Sequence, residues 1–220
     1  MSPDVFREAW VFMVDDDRSF LGALEGLLSA KGYRTAAFTS PVQFLDRHDP
    51  RRHGCLLLDL HMAELNGLDV QSRLAARGEA RPVIFLSGMN CVEAAVSAMK
   101  SGARNYLVKP VEADVVLDTV QSAIEEDRDR LEARIEMAES MNRWRMLSNR
   151  EQEVFWQVAD GQLNKQTAYH LRISKKTVQV HRSHVMEKLK VGSAAELTRM
   201  AGRIRSLCNW GGLRPSGSDW

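Results

Sequence analysis

The stretch VFMVDDDRSF, residues 11–20, runs four apolar residues directly into three aspartates. A short run that is apolar throughout is typical of a strand buried on both faces of a parallel sheet. Three like charges at the end of such a strand are unfavourable unless an opposite charge lies among them. The stretch therefore predicts a buried sheet with a charged site at one edge.

Similar runs follow at regular intervals: TAAF at residues 35–38, CLLL at 55–58, VIFL at 83–86 and YLV at 106–108. Helical patterns separate them, as in the leucines at positions 21, 24, 27 and 28. Alternation of strands and helices predicts an α/β fold, a doubly wound five-stranded parallel sheet covered by helices on both faces.

The rest of the chain predicts helices. Residues 115–145 contain no proline or glycine and are dense in charge, which favours a helix. Whether that helix is an exposed linker or pairs with a second copy stays open. After residue 148 the pattern is helical throughout, and the glycine-rich and serine-rich end predicts a flexible tail.

The formal net charge of +1 conceals an uneven distribution. Residues 1–122 carry 13 Lys and Arg against 16 Asp and Glu, whereas residues 147–205 carry 11 against 5. A basic segment at one end predicts a nucleic-acid partner there. No apolar run approaches the roughly 20 residues of a membrane span, and the three cysteines lie far apart. We therefore expect a cytoplasmic protein without membrane contact, structural disulfides or zinc.

Ligands of an open parallel sheet bind beyond the carboxyl ends of its strands. Those ends carry Asp15, Asp16 and Asp17 after the first strand, Asp59 after the third, Ser87 after the fourth and Lys109 after the fifth. A small divalent cation such as Mg²⁺ would hold the carboxylates together, since it prefers oxygen ligands. For Asp17 alone we favour a helix N-cap.

The motifs VDDD, LLDLHMAELNG, FLSG and YLVKP, in this order, resemble the receiver domain of bacterial response regulators. The resemblance implies that Asp59 accepts a phosphoryl group from a sensor histidine kinase. It also implies a Mg²⁺ site made by Asp15, Asp16, Asp59 and the backbone carbonyl of His61.

The same resemblance gives roles to the remaining strand ends. Ser87 and Lys109 would contact the phosphoryl oxygens, Tyr106 would change rotamer together with Ser87 on activation, and the Lys109–Pro110 bond would be cis. The chain departs from the family at Ala63, where proline is usual. We expect a looser loop behind Asp59 and a changed phosphoryl lifetime.

The motifs REQEV, NKQTA, ISKKTVQVHR and MEKL resemble the LuxR/NarL-type helix-turn-helix of transcription regulators. Its last helix would enter the major groove, where Gln179 would pair with adenine, Val180 would touch a thymine methyl and Arg182 would contact base or phosphate. The expected phosphate contacts are Asn164, Lys165, Lys175, Lys176 and Thr177. Lys188 and Lys190 are predicted to lie on a solvated face.

These resemblances divide the chain into a receiver domain (residues 8–125), a linker helix (126–145), a helix-turn-helix domain (146–206) and a flexible tail (207–220). The function they imply is phosphorylation-dependent regulation of transcription, without enzymatic turnover. The expected partners are a sensor histidine kinase, promoter DNA, RNA polymerase and, on activation, a second copy of the chain. The receiver would pair through residues 92–106, and the apolar stripe of the last helix would help the DNA-bound dimer form.

Two alternatives remain. A Mg²⁺-dependent phosphatase working through an aspartyl-phosphate often carries a second carboxylate two residues after its nucleophile, where this chain has His61. A DNA-binding module with a receiver that no longer responds to phosphate is left open by Ala63, although Asp16, Asp59, Ser87 and Lys109 speak against it.

Overall fold

The computed structural model describes residues 9–88 and 92–211, with 206–211 described by backbone only. Five parallel strands form one sheet in the order β2-β1-β3-β4-β5. Their bounds are Trp10–Val14 (β1), Arg34–Phe38 (β2), Gly54–Asp59 (β3), Val83–Ser87 (β4) and Asn105–Val108 (β5). Each predicted strand is present, so the predicted doubly wound α/β fold is confirmed.

Helices follow the strands and then make up the C-terminal part. Their bounds are Arg18–Ala30 (α1), Pro41–Arg47 (α2), Gly67–Ala76 (α3), Val92–Lys100 (α4), Ala113–Arg145 (α5), Asn149–Ala159 (α6), Asn164–Leu171 (α7), Lys175–Leu189 (α8) and Ala194–Gly211 (α9). No helix in the described part of the chain is both long and apolar enough to span a membrane.

Both faces of the sheet are covered, because alternate strand residues point to opposite sides. Val11 and Met13 pack on one face against α1 and the first part of α5. Phe12 and Val14 pack on the other face against α2, α3 and α4. The central strands are therefore apolar on both faces, and polar residues appear only where the strands end.

The first part of α5 is fastened to the sheet by a polar contact. The Asp127 carboxylate accepts a hydrogen bond from the Gly54 amide at 2.7 Å. Gly54 has φ +134°, and a Cβ there would lie 1.9 Å from the Trp10 carbonyl oxygen, so only glycine fits. The chain divides into two compact units between Leu131 and Glu132.

The C-terminal unit has its own apolar core, to which α6, α8 and α9 contribute. Val185 and Leu189 of α8 are fully buried in it, and Val178 on the same face of that helix is also buried. The stripe of α9 is buried in this core as well, at Leu197, Met200, Ala201 and Ile204. These side chains therefore pack within their own unit, and the expectation that the stripe helps the DNA-bound dimer form stays a prediction.

The helix α9 continues to Gly211. Residues 207–211, the first five of the predicted flexible tail, are therefore helical, and the first consecutive glycines of the tail come only at 211–212. The remainder of the tail lies outside the described residues.

Candidate functional site

The carboxyl ends of the strands bring the predicted receiver residues to one edge of the sheet. Asp15 directly follows β1, and Asp59 is the last residue of β3. Asp59 pairs in register with Leu86, one residue before Ser87, and Ser87 pairs with Val108, one residue before Lys109. The parallel register therefore brings Asp15, Asp59, Ser87 and Lys109 to the same edge of the sheet, although they are up to 94 residues apart in sequence.

The Lys109 ammonium connects the two buried carboxylates of this edge. Its Nζ lies 2.5 Å from Asp15 Oδ2 and 2.8 Å from Asp59 Oδ1. It also lies 4.3 Å from the centre of the Phe20 ring, whose face attracts a cation. In this structure an ammonium supplies the opposite charge for the buried Asp15 and Asp59, whereas Asp16 and Asp17 are exposed.

The remaining oxygens of the two carboxylates accept backbone hydrogen bonds. Asp59 Oδ2 accepts from the His61 amide at 2.9 Å, and Asp15 Oδ1 accepts from the Asp17 amide at 3.0 Å. Both oxygens of each carboxylate therefore accept a hydrogen bond, one from Lys109 and one from a backbone amide. The His61 side chain is exposed.

Asp16 and Asp17 behave differently from Asp15. Asp16 is exposed, yet one of its carboxylate oxygens lies within 4.8 Å of ligand atoms of Asp15 and Asp59. Asp17 caps α1, because its Oδ1 accepts hydrogen bonds from the Ser19 and Phe20 amides. The N-cap interpretation of Asp17 is confirmed.

Burial and ion pairing shift two pKa values at this edge. Burial raises the pKa of the Asp15 carboxyl above its ordinary value, more than the hydrogen bonds from Lys109 and the Asp17 amide lower it. Burial acts to lower the pKa of the Lys109 ammonium, but the hydrogen bonds to Asp15 and Asp59 outweigh it, and that pKa is raised. Lys109 therefore stays charged at neutral pH.

The donor set of this edge fits Mg²⁺. Asp15, Asp16 and Asp59 together offer carboxylate oxygens within 4.8 Å of one another, two of them from buried residues. Hard oxygen ligands of this kind are what Mg²⁺ takes, usually with several waters retained. The exposed Asp16 leaves the cluster open to solvent on one side.

The other residues predicted for the switch lie on the two neighbouring strands. Ser87 is fully buried at the end of β4. Tyr106 in β5 is half-buried and packs against the core on the α2, α3 and α4 side. The Lys109–Pro110 bond is cis, as the resemblance implies.

The predicted nucleic-acid surface is formed by α7 and α8 of the C-terminal unit. Ser174 caps α8, and its Oγ accepts from the Thr177 amide at 3.0 Å. Lys175, Lys176 and Gln179 are exposed. Val180 is 48% exposed, which is unusual for a valine inside a helix whose other valines are fully buried. A β-branched apolar side chain between exposed basic ones suits contact with base edges.

Two of the residues predicted to contact DNA form a hydrogen bond with each other. Arg182 Nη1 donates to Asn164 Oδ1 at 3.2 Å, which joins α8 to the start of α7. Lys165, the next residue of α7, is exposed. The arrangement places the basic side chains of two helices on one unit, as the helix-turn-helix resemblance requires.

The sequence patterns did not predict an ion pair between α8 and α6. Lys188 Nζ lies 2.7 Å from Glu151 Oε2, and the Glu151 side chain is only 5% exposed. Burial acts to raise the pKa of Glu151, but hydrogen bonds from Lys188 and from the Ser148 amide and hydroxyl lower it to about 2. Lys188 is exposed, as predicted, and its ammonium also forms this ion pair, which was not predicted. The S-N-R-E capping box, residues 148–151, was the available signal for a buried glutamate.

Comparison with known families gives two matches along the chain. The family model described as "Response regulator receiver domain" matches residues 11–121. The one described as "Bacterial regulatory proteins, luxR family" matches residues 145–201.

Relatives share both parts. The chain is 39% identical over 199 residues to "Response regulator protein TmoT" of Ectopseudomonas mendocina, covering 90% of each chain. It is 36% identical over 191 residues to "Transcriptional regulatory protein FixJ" of Azorhizobium caulinodans, covering 87% of this chain and 90% of the relative. Among known structures, response regulator StyR has a TM-score of 0.79 at 34% identity, covering 89% of this chain and 99% of that one.

Proposed function

Because the chain belongs to the response regulators that join a receiver domain to a LuxR-family DNA-binding domain, we propose that phosphorylation of Asp59 switches its dimerisation and promoter binding. The phosphoryl group would come from a sensor histidine kinase. The observation that carries the proposal is the position of the Lys109 ammonium, within hydrogen-bond distance of both Asp15 and Asp59.

Asp59 is the nucleophile of the proposed transfer. One of its carboxylate oxygens forms a bond to phosphorus, while the bond from phosphorus to the imidazole nitrogen of the donor breaks and the imidazole leaves with the electron pair. Negative charge on the phosphoryl oxygens opposes the approach of a carboxylate, so positive charge is needed at this edge. Lys109 supplies one such charge 2.8 Å from Asp59 Oδ1.

Mg²⁺, held by Asp15, Asp16, Asp59 and the backbone carbonyl of His61, would add positive charge that offsets the phosphoryl oxygens. The His61 amide keeps Asp59 Oδ2 oriented. The Asp17 amide and Lys109 orient Asp15 in the same way. Ser87 would bind a phosphoryl oxygen, and Tyr106 would follow it in the switch.

Phosphorylation would shift a two-state equilibrium toward a dimer. The surface that supports this step is apolar and exposed on α4 and β5. Val92 is 68%, Val96 46%, Met99 47% and Val108 38% exposed. Pairing through this surface would hold two helix-turn-helix domains together, so that both engage paired DNA half-sites with higher joint affinity. A promoter-binding regulator acts where the chromosome lies, so the proposal includes a cytoplasmic location.

The test is intact-mass analysis of the full chain after incubation with acetyl phosphate and Mg²⁺. We expect one added phosphoryl group on the wild type, none on Asp59→Asn, and none on the wild type with excess EDTA. Asp17→Asn is the matched control, because asparagine is an equally good N-cap and the substitution leaves the Asp17 amide, the only group of this residue in the proposed site, unchanged. Equal labelling of wild type and Asp59→Asn would contradict the proposal.

A further inference from the structure

The loop at residues 60–66, between β3 and α3, carries the His61 carbonyl proposed for the metal site. Its first part is well held: the Leu60 amide donates to the Leu86 carbonyl at 3.2 Å, and Met62 is 9% exposed. Its end is held by the Gly67 amide, which donates to the Leu60 carbonyl at 3.0 Å. Between these anchors, residues 63–65 make one hydrogen bond to other described residues, that of Glu64.

The partner of Glu64 is the Ser40 hydroxyl. Ser40 Oγ donates to Glu64 Oε2 at 2.5 Å, across 24 residues of sequence. Glu64 is otherwise exposed and Ala63 beside it is exposed too. This Ser40–Glu64 bond is thus the polar lateral contact of the middle of the loop, beside Leu65, which is half-buried and packs against the core.

Ser40 is a firm anchor for that contact. It is 8% exposed and caps α2, where its Oγ accepts from the Gln43 amide at 3.3 Å. Two residues before it, the Phe38 carbonyl accepts from the Asp15 amide at 3.2 Å. The bond to Glu64 therefore joins the loop behind Asp59 to the strand end that borders Asp15.

We propose that Ser40 and Glu64 are positioning residues for the metal site, and that their hydrogen bond fixes the loop at residues 60–66 with the His61 carbonyl oriented for Mg²⁺. This inference rests on the proposed function. Alanine at position 63 leaves the backbone free to rotate, whereas a proline would fix φ and narrow the conformations of the residue before it. The loop therefore depends on a side-chain contact for a restraint that a proline would provide through the backbone.

The physical reason is preorganisation. A carbonyl on a mobile loop must be ordered when the cation binds, and that loss of conformational freedom weakens binding. Outer contacts that hold a ligand in place change metal affinity for the same reason. The bond from a neutral hydroxyl to a carboxylate is charge-assisted and is stronger than a neutral one.

Three variants of the full chain separate this effect from simple charge loss. Glu64→Ala removes the bond and leaves the Ser40 cap of α2 intact. Glu64→Gln removes the charge but keeps an acceptor oxygen for Ser40. Glu64→Ala combined with Ala63→Pro removes the bond and adds a backbone restraint.

Two measurements apply to each variant. Hydrogen–deuterium exchange of the metal-free chain reports the mobility of residues 60–66, and a MgCl₂ titration followed by amide NMR shifts reports the Kd. We expect Glu64→Ala to exchange faster in this loop and to bind Mg²⁺ about fivefold more weakly. Glu64→Gln and the double variant should stay within about twofold of the wild type, a smaller change than the loss of one hydrogen bond causes.

Two results would overturn the inference while the proposed function stands. One is that Glu64→Ala keeps wild-type exchange and Kd although the wild type binds Mg²⁺. The other is that Glu64→Gln weakens binding as much as Glu64→Ala does, which would assign the effect to charge. A wild type that binds no Mg²⁺ would overturn the inference together with the metal site of the proposed function.

Discussion

At the scale of single residues, Lys109 holds the charged edge of the sheet together. Its ammonium is 20% exposed and lies among side chains that are themselves almost fully buried, Asp15 at 3% and Asp59 at 7%. Two carboxylates this close repel each other unless a cation lies between them. We therefore expect a divalent ion at this edge to compete with Lys109 for the carboxylate oxygens of Asp15 and Asp59.

This competition predicts the behaviour of Lys109→Met. Without Mg²⁺, the variant should lose about 1–3 kcal/mol of unfolding free energy at neutral pH, because two buried carboxylates lose their partner. Added Mg²⁺ should stabilise the variant more than the wild type. Urea unfolding in EDTA and in MgCl₂ measures both effects, with the exposed Lys100→Met as control. An equal response to Mg²⁺ in variant and wild type would count against the competition.

Glu151 makes the stability of the C-terminal unit depend on pH. Its folded pKa of about 2 lies below the ordinary value of 4.5. Its contribution is therefore complete above pH 4.5 and is lost as the pH falls toward 2. We expect a loss of about 2 kcal/mol over that window, allowing for solvent screening of the partly exposed Lys188. Amide protection in α6 of the full chain should fall with pH in the wild type, and should vary much less in Glu151→Gln.

At the scale of elements, α5 is joined to the sheet where a polar residue interrupts its apolar pattern. The Asp127 carboxylate accepts a hydrogen bond from the amide of Gly54, the first residue of β3. The prediction is that Asp127→Ala lowers the unfolding free energy of the N-terminal unit by about 1–2 kcal/mol, because a partly buried amide loses its acceptor. Asp129→Ala is the matched control, since the Asp129 side chain is 68% exposed. Urea unfolding that shows equal loss in both variants would refute the role of Asp127.

Substitutions on the exposed face of α8 are expected to change DNA binding in two different ways. Val180→Ala should relax the preferred base at one position, at a cost of about 1 kcal/mol for the best site, because it removes apolar contact with a thymine methyl. Lys176→Ala should weaken binding to all sequences alike and reduce the slope of log K against log salt by about 1. Selection from random duplexes, followed by titration at several salt concentrations, distinguishes them. A changed sequence preference in Lys176→Ala would contradict the assignment.

Sequence patterns predicted the elements better than the polar contacts between them. Strands β3 and β4 are apolar throughout, so their burial and parallel pairing follow from composition. The charged edge follows too, because Asp15, Asp59 and Lys109 each stand at a strand end. The contacts from Asp127 to Gly54, from Glu151 to Lys188 and from Ser40 to Glu64 join residues 24 to 73 positions apart. No periodicity relates such pairs, so only the folded chain shows them.

At the scale of the whole molecule, the chain joins an acidic unit, the proposed phosphoryl acceptor, to a basic unit that contains α8. Each unit has its own core, and the chain divides between Leu131 and Glu132. For the proposed coupling, phosphorylation must stabilise the dimeric state of the chain more than the monomeric state. A group that stabilises both states equally does not shift the equilibrium between them. The proposed dimerisation of the N-terminal unit would provide that difference, because it would raise the effective concentration of the second C-terminal unit at DNA.

The most direct test of this account is DNA binding and molar mass of the full chain, with Mg²⁺ and with or without beryllofluoride, for wild type and Asp59→Asn. We expect beryllofluoride to convert the wild type to a dimer and to tighten its binding to a selected DNA, whereas Asp59→Asn stays monomeric and binds weakly under both conditions. Equal mass and equal affinity of the wild type with and without beryllofluoride would contradict the phosphorylation switch.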